Sequence, residues 1–376
     1  MSRENKGALK FLAVILVLAV LAATGGAAWL WYGITKPYRG FAAEGVFVDV
    51  PRGASQRFVA HLLERNGVVR SALGFEIYAR RHPKRTLQAG EYFFDKAVTG
   101  RDVFWKVASG EVYVQSFTVR EGETMFDIAR ELEAGKFMPA GDFLYAASDP
   151  ALIRDFSPGA QTLEGFLFPA TYELPRHPAA SELTAQMVHK FKEEWKRIAV
   201  APTGTPMEQG DRRLMTQLVT LASLVERETP KAEERPLVAS VFENRLRKGM
   251  RLQCDPTVIY GMERLGKYNG TLTGKDLSFD SLYNTYEHGG LPPGPIGNPG
   301  EASLRAAITP AQSNYLYFVA NTLGGHFFSA TLAEHNTNVM KYRRLLAGEP
   351  ADPPPAPAPV THKKKPTGKK HKGKAR

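Results

Sequence analysis

The chain has 376 residues, 43% hydrophobic and 23% charged, which is ordinary globular material with length enough for two domains and a sizeable core. Its net charge of +11 resembles a nucleic-acid signature, but eight Lys/Arg stand against Asp352 alone in 351–376, and Arg3, Lys6 and Lys10 against Glu4 in 1–10. The body between is almost neutral and offers no phosphate-reading surface, and a single cysteine, Cys254, excludes an intramolecular disulfide, a cysteine-based metal site and a lipid-modified N-terminal cysteine.

Residues 11–35 carry no charge, and the apolar run Phe11–Tyr32 would span roughly 30 Å of hydrocarbon as a helix. Trp29, Trp31 and Tyr32 close it, where an interfacial aromatic belt belongs. The positive charges before it predict a cytoplasmic N-terminus (1–10), a transmembrane helix (11–32) and an extracytoplasmic remainder, on a bacterial inner membrane. The competing reading is a cleaved signal peptide, since LAATGGAA is rich in small residues.

A linker (33–43) leads into a repeat. VPRGASQRFVAHLLERNGVV, from Val50, aligns with VREGETMFDIARELEAGKFM, from Val119, at one constant offset. Gly53 matches Gly122, Ser55 matches Thr124, Ala60 matches Ala129 and Leu63 matches Leu132. Each copy predicts a short strand, a glycine turn and a helix capped by Ser or Thr. Between the copies, strands flank a helix at about residues 99–109.

Further on, Thr162–Leu174 reads as strand or loop, because Gly165 and Pro169 interrupt its apolar run. Helices are predicted over 181–199 with Ser181 as cap, over 211–229 and over 231–249. Residues 250–300 are poor in regular signals. NPGEASLRAAI predicts a helix with Asn298 as cap, Pro299 first and Glu301 third; Thr331 and Glu334 repeat the capping box before the last helix. The Pro- then Lys-rich segment 349–376 is predicted to be disordered. Its charge suits an anionic polymer or lipid, or it is a solvated tail with no fixed partner.

The helix ending TLASLVERETP carries Glu226 and Glu228 in its last turn. At about 100° per residue, Leu214, Met215, Leu218, Val219, Leu221 and Ala222 form one apolar arc. Glu226 falls on one edge of it and Glu228 on the other, about 160° apart, so both cannot reach one bond. Each could instead be paired with a nearby arginine, among them Arg212, Arg213, Arg235 and Arg245. A carboxyl group in apolar surroundings has its pKa raised, as a general acid at neutral pH requires. The downstream loops gather amides, hydroxyls and aromatics, which suit sugar rims and faces, and Pro292–Pro295 stiffens one of them.

LEGFLFPATY, ASLVERET, VFENRL, LQCDPTVIYG, YNTY, GLPPGPIGNPGEASL and GGHFFS…EHN follow in that order. With the N-terminal anchor they closely resemble the YceG-like family, the MltG-type endolytic murein transglycosylases, over most of the chain. The resemblance implies an α+β fold with a LysM-like glycan-binding subdomain (44–116) and a YceG-like catalytic domain (117–348). It implies a lyase acting on nascent peptidoglycan that leaves 1,6-anhydro-muramyl ends, with the first glutamate of the motif, Glu226, as acid/base. One carboxyl group suffices for that reaction. Muramidase (hydrolytic) and non-catalytic scaffold readings compete with it.

Gln253, Asp255, Thr257, Tyr260, Tyr283, Asn284, Thr285 and Tyr286 are expected to line the cleft, with Asp255 alternatively a turn former and either of Tyr283 and Tyr286 alternatively core. Glu228, Arg245, Asn298, Glu334, His335 and Asn336 are expected to support the site, Glu228 through an ion pair. Asn298 and Glu334 have a capping explanation, and His335 one of local satisfaction. No metal, cofactor or specific nucleic acid is expected; peptidoglycan synthases are candidate partners.

Overall fold

The computed structural model describes residues 3–199 and 212–348. The expected disordered segment 349–376 lies outside them. The fold is α+β: the described residues form helices and three separate two-stranded antiparallel sheets. The chain divides into two compact units, one formed by Met1–Leu152 with Leu167–Lys190, the other by Ile153–Phe166 with Phe191–Arg376.

The first unit opens with α1 (Arg3–Thr35), whose stretch Lys10–Thr35 is long and apolar enough to cross a membrane. There follow β1 (Val46–Val50), α2 (Gln56–Arg65), α3 (Ala72–Arg80), β2 (Gly90–Phe94) and α4 (Gly100–Ser109). β1 pairs with β2 from Val46↔Phe94 to Val50↔Gly90. Val48, Tyr92, Val59, Leu63, Phe75 and Phe104 from these elements form its core. The Tyr92 hydroxyl donates to the Gln88 and Val107 carbonyls, at 2.9 and 3.2 Å, which satisfies its one polar atom in that core.

The repeat is real in three dimensions. β3 (Gln115–Thr118), α5 (Met125–Ala134), α6 (Ala140–Ser148) and β4 (Thr171–Leu174) restate the order strand, helix, helix, strand, and β3 pairs antiparallel with β4. Gly53 and Gly122 both take left-handed backbone, at φ +75° and +82°, in the turn after the first strand. Ser55 caps α2 and Thr124 caps α5, the latter as a full capping box with Asp127. Ala60, Leu63, Ala129 and Leu132 are buried in pairs. By this division the second copy falls in the same unit as the first. Its first strand finds its partner only at β4, on the far side of the excursion 153–166.

Helix α7 (Ala180–Ile198) begins one residue before the expected cap, so Ser181 lies in its first turn. The second unit then holds α8 (Arg212–Glu228), α9 (Arg235–Arg247) and α10 (Asp255–Glu263), with a single 3₁₀ turn, Ala232–Glu234, before α9. After these come α11 (Glu301–Ile308), β5 (Tyr317–Ala320), β6 (His326–Ser329) and α12 (Leu332–Leu346). α10 escapes periodicity because it is short, apolar nearly all round, and holds β-branched Thr257, Val258 and Ile259 as well as Gly261. Gly165, at φ +85°, lets the chain pass against α8. A Cβ there would stand 2.5 Å from Pro295 and 2.9 Å from Val219.

Candidate active site

Helix α8 delivers Glu226 and Glu228 to different environments. The Glu226 carboxylate takes a 2.6 Å ion pair from Arg235 at the start of α9. Both side chains are almost fully covered, at 4% and 7% exposure. Its other oxygen accepts from the Gly300 N–H at 2.9 Å. Gly300 is the N-cap of α11 and has no side chain to offer, so Glu226 places its charge at that helix start, where a carboxylate is favoured. A guanidinium and a backbone N–H only donate, so both oxygens are engaged as acceptors.

Glu228 sits differently. Burial pushes its carboxyl up from the ordinary range, a hydrogen bond with the Cys254 thiol pulls it down, and the nearby Asp255 charge pushes it up again; His326 and Arg245 act more weakly in the lowering sense. The Cys254 thiol is itself pushed well up by burial and by Glu228. Asp255, exposed at the start of α10, accepts a 2.5 Å hydrogen bond from the partly covered Tyr286 hydroxyl. Burial and Asp255 raise the Tyr286 hydroxyl as well. Gln253 is exposed and holds a φ of +55°, an uncommon conformation for a residue with a side chain. Glu228, Cys254, Asp255 and Tyr286 therefore form one cluster, with Gln253 on the same stretch.

A groove of about 510 Å³ lies on α8, lined by Thr216, Gln217 and Thr220, by Leu246 of α9, and by Leu291 with Pro292 opposite. Around the helix Gln217 lies about 20° from Glu228 and Thr220 about 80°, whereas Glu226 is about 160° away. Thr216 lies about 120° from Glu228 and about 80° from Glu226, so the α8 lining as a whole is turned somewhat more toward Glu228, which does not itself line the groove.

Several expected contacts are corrected by burial. Thr257, Tyr260, Tyr283, Asn284 and Thr285 are all buried, with no face left for a substrate. The Thr257 and Thr285 hydroxyls meet at 2.9 Å, and Thr285 accepts from the Cys254 N–H. The Tyr283 hydroxyl accepts from Arg264. Asn284 donates to the Leu277 and Phe279 carbonyls, fixing the loop that carries Tyr286. These residues shape the site from behind. Tyr260 and Tyr283 pack against each other, with centroids 5.0 Å apart, in the core reading.

The supporting residues also separate. Arg245 donates to the Leu316, Arg251 and Leu252 carbonyls and lies over Tyr317, bracing the irregular segment before Gln253. Asn298 does not cap α11. It is wholly buried, donates to Glu164 and accepts from the Gly165 N–H, both at 2.9 Å. Glu301 instead bonds Arg197 and Arg305, so the expected capping box is not formed there. Glu334 does complete the box with Thr331. His335 stacks on Tyr317, and burial and Arg245 push it down. Asn336 is exposed on α12. Arg212 and Arg213 belong to the first turn of α8, and their side chains lie outside the described residues.

Sequence reasoning missed His326 and Cys254. His326 Nδ1 meets Glu234 at 2.7 Å, and the His326 backbone N–H donates to the other oxygen of that carboxylate. Both residues lay within conspicuous motifs, GGHFFS and LQCDPT, but nothing in their spacing shows that the fold sets them beside Glu228.

The sequence profile of the YceG-like family matches residues 48–341. The chain is 33% identical over 341 residues to the endolytic murein transglycosylase of Bacillus subtilis (strain 168), covering 85% of this chain and 90% of that protein. It is 29% identical over 364 residues to the endolytic murein transglycosylase of Streptococcus pneumoniae serotype 2, covering 88% and 65%. The 2.6 Å crystal structure of the yceG-like protein lmo1499 of Listeria monocytogenes is similar, with a TM-score of 0.50 at 32% identity, and covers 78% of this chain and 99% of that one.

Proposed function

The chain belongs to the YceG-like family, and on that premise we propose that it is an endolytic peptidoglycan lytic transglycosylase in which Glu228, rather than Glu226, is the general acid and base. The observation that carries this choice is the contrast between the two carboxyl groups. Glu226 is engaged by Arg235 and Gly300, while Glu228, on the other side of α8 beside Cys254 and Asp255, has its pKa raised by burial. A raised carboxyl retains its proton nearer neutral pH and can give it away.

The reaction needs one such group. Protonated Glu228 donates to the oxygen linking C1 of a muramyl unit to the next glucosamine, and that bond breaks with oxocarbenium character at C1. Glu228, now a carboxylate, takes the proton of the same unit's C6 hydroxyl, whose oxygen closes on C1. Atoms balance without water: one glycosidic bond is lost, one 1,6-anhydro bond is gained, and Glu228 ends as it began. Asp255, carrying negative charge beside Glu228, favours the protonated acid in the resting enzyme. Exposed Gln253 and half-buried Tyr286 are the groups assigned to sugar contact.

The wider reading has α1 as a single membrane anchor, its N-terminal flank cytoplasmic and the chain after it beyond the membrane, where nascent strands emerge. The first strand–helix–helix–strand module is assigned a LysM-like, glycan-holding role. Its support is the antiparallel pairing of β1 with β2 around α2 and α3.

The test is the mass of products released from uncrosslinked glycan strands. Anhydro ends, one water lighter than hydrolysis products, support the reading; full-weight reducing ends would make the protein a muramidase. Release undiminished in a Glu228→Gln variant would remove Glu228 from the chemistry.

A further inference from the structure

The repeat runs on into the second helix of each copy. α3 and α6 are nine residues each, and aligned start to start they set Phe75 on Phe143 and Ala79 on Ala147, all 0% exposed. The same alignment relates two cavities. One, of about 270 Å³, is lined on its α3 side by Gly74, Ile77, Tyr78 and Arg81; the other, of about 800 Å³, has Asp142, Tyr145, Ala146 and Asp149 in its lining. These are the same four positions, spaced to share one helix face, and the last of each four is the residue that ends its helix.

The two copies close this face differently. In the first, α1 covers it: Leu30 and Trp31 form the opposite wall, and a Cβ at Gly74 would meet Leu30 at 3.5 Å. In the second, the start of α7 contributes Ala180, Ser181 and Thr184, and the turn after α6 contributes Leu152. The Thr184 hydroxyl donates to the Ala180 and Ser181 carbonyls of its own helix. All of this groove lies within the first unit.

The chemistry of the face differs as well. Where the first copy has Gly74, Ile77, Tyr78 and Arg81, the second has Asp142, Tyr145, Ala146 and Asp149. Tyr145 is 85% exposed, more than any other large apolar or aromatic side chain among the described residues. A ring held out at a groove offers a flat apolar face, which suits the C–H side of a pyranose, and carboxylates accept from sugar hydroxyls. One Asp149 oxygen already accepts the Ala151 N–H at 3.0 Å, which fixes that carboxylate at the helix end. No lysine or arginine lines the groove, so it does not suit a phosphate or another anion. Its volume falls within the roughly 300–1,000 Å³ of sites that enclose small ligands.

We propose that the groove between α6 and α7 is a separate glycan-binding site. It takes uncharged N-acetylglucosamine-type rings of a glycan strand, one of them stacked on Tyr145, with hydroxyls donating to Asp142 and Asp149. This rests on the reading of peptidoglycan as the substrate. It is distinct from the role given to the first module, because there the matching face belongs to α1. The site serves to retain the strand and takes no part in bond cleavage.

The test is hydroxyl-radical footprinting of the full chain in nanodiscs, with the tetrasaccharide of N-acetylglucosamine as probe. That probe has no muramyl unit to cut, so the result does not depend on cleavage. Oxidation of Tyr145 should fall about threefold or more at saturation, because the stacked sugar covers the ring. Met340, exposed on α12, should stay unprotected. In Asp142→Ala, a change at an exposed position, the concentration for half-protection should rise about tenfold. It should not move between low and high salt, since the ligand is uncharged. Tyr145 unprotected at millimolar tetrasaccharide, or protected only by the free stem peptide, would overturn the proposal. So would protection that Asp142→Ala leaves unchanged. Anhydro products together with an unprotected Tyr145 would remove the groove and leave the lytic reading standing. Protection without anhydro products would do the reverse.

Discussion

Glu226 and Glu228 leave the last turn of α8 on opposite sides, and the fold gives each a different office. Glu226 joins three helices, since its own α8, Arg235 of α9 and the N-cap of α11 meet at one carboxylate. Glu228 holds the other face with Cys254 and Asp255. The two substitutions should therefore fail in different ways. Glu228→Gln should fold with unchanged stability near pH 5 or below, yet lose glycan cleavage by about a hundredfold or more. Glu226→Gln should lower unfolding free energy in urea by about 3–5 kcal/mol, because it strands Arg235 in a covered site. Paired urea melts and product assays on both variants decide between the offices. Loss of activity in Glu226→Gln alone, without loss of stability, would reverse the assignment.

The raised Glu228 also predicts a slope in stability with pH. Its folded pKa lies above the unfolded value near 4.5, so the folded chain holds more protons between the two. The favourable contribution is complete below the unfolded value and is lost as pH rises through the folded one. Glu228→Gln should remove this falling slope, measured as the midpoint of chemical unfolding against pH upward from 4.5.

Asp255 provides an independent check on the same group. Its charge raises Glu228. In Asp255→Asn the alkaline limb of activity should move to lower pH, because Glu228 then gives up its proton more readily. A limb that stays put, or moves up, would separate Asp255 from the acid.

Gly165→Ala tests the close passage over α8. The new Cβ would meet Pro295 at 2.5 Å and Val219 at 2.9 Å, on backbone already at φ +85°. Destabilisation of about 2–4 kcal/mol is expected, read in thermal or urea unfolding.

The two repeat caps should differ in weight. Ser55→Ala removes one hydrogen bond, to the Phe58 N–H at 3.2 Å on an exposed turn. Thr124→Ala breaks a buried reciprocal box with Asp127. Losses of about 0.5–1 and about 1–2 kcal/mol are expected, ranked by urea midpoints.

Much of this was legible from residue order. The caps at Ser55, Thr124 and Thr331 announce themselves through local chemistry that tertiary contacts do not override. The helical period of α8 already set the two glutamates on different faces. What periodicity cannot supply is which face meets what. The partner of Glu226 includes a backbone N–H of Gly300, far along the chain and invisible to any side-chain pattern. Asn298 misled because it has the residue type and position of a cap, while the helix starts two residues later and the amide serves Glu164 and Gly165. The tyrosines and threonines of the LQCDPTVIYG and YNTY segments have the chemistry of sugar contacts, but aromatic and hydroxyl groups serve a core equally well when each polar atom finds a partner.

The segment Leu291–Gly300 has no regular structure, yet Ser223 holds the Ile296 N–H, Glu164 and Gly165 hold Asn298, and Glu226 holds the Gly300 N–H. A wall pinned at three points has little conformational entropy left to lose when a glycan strand enters the groove. Recognition along that wall should thus show a small ordering term. The Ile296 and Gly300 amides should exchange with solvent about as slowly as those of the neighbouring helices, with or without bound strand.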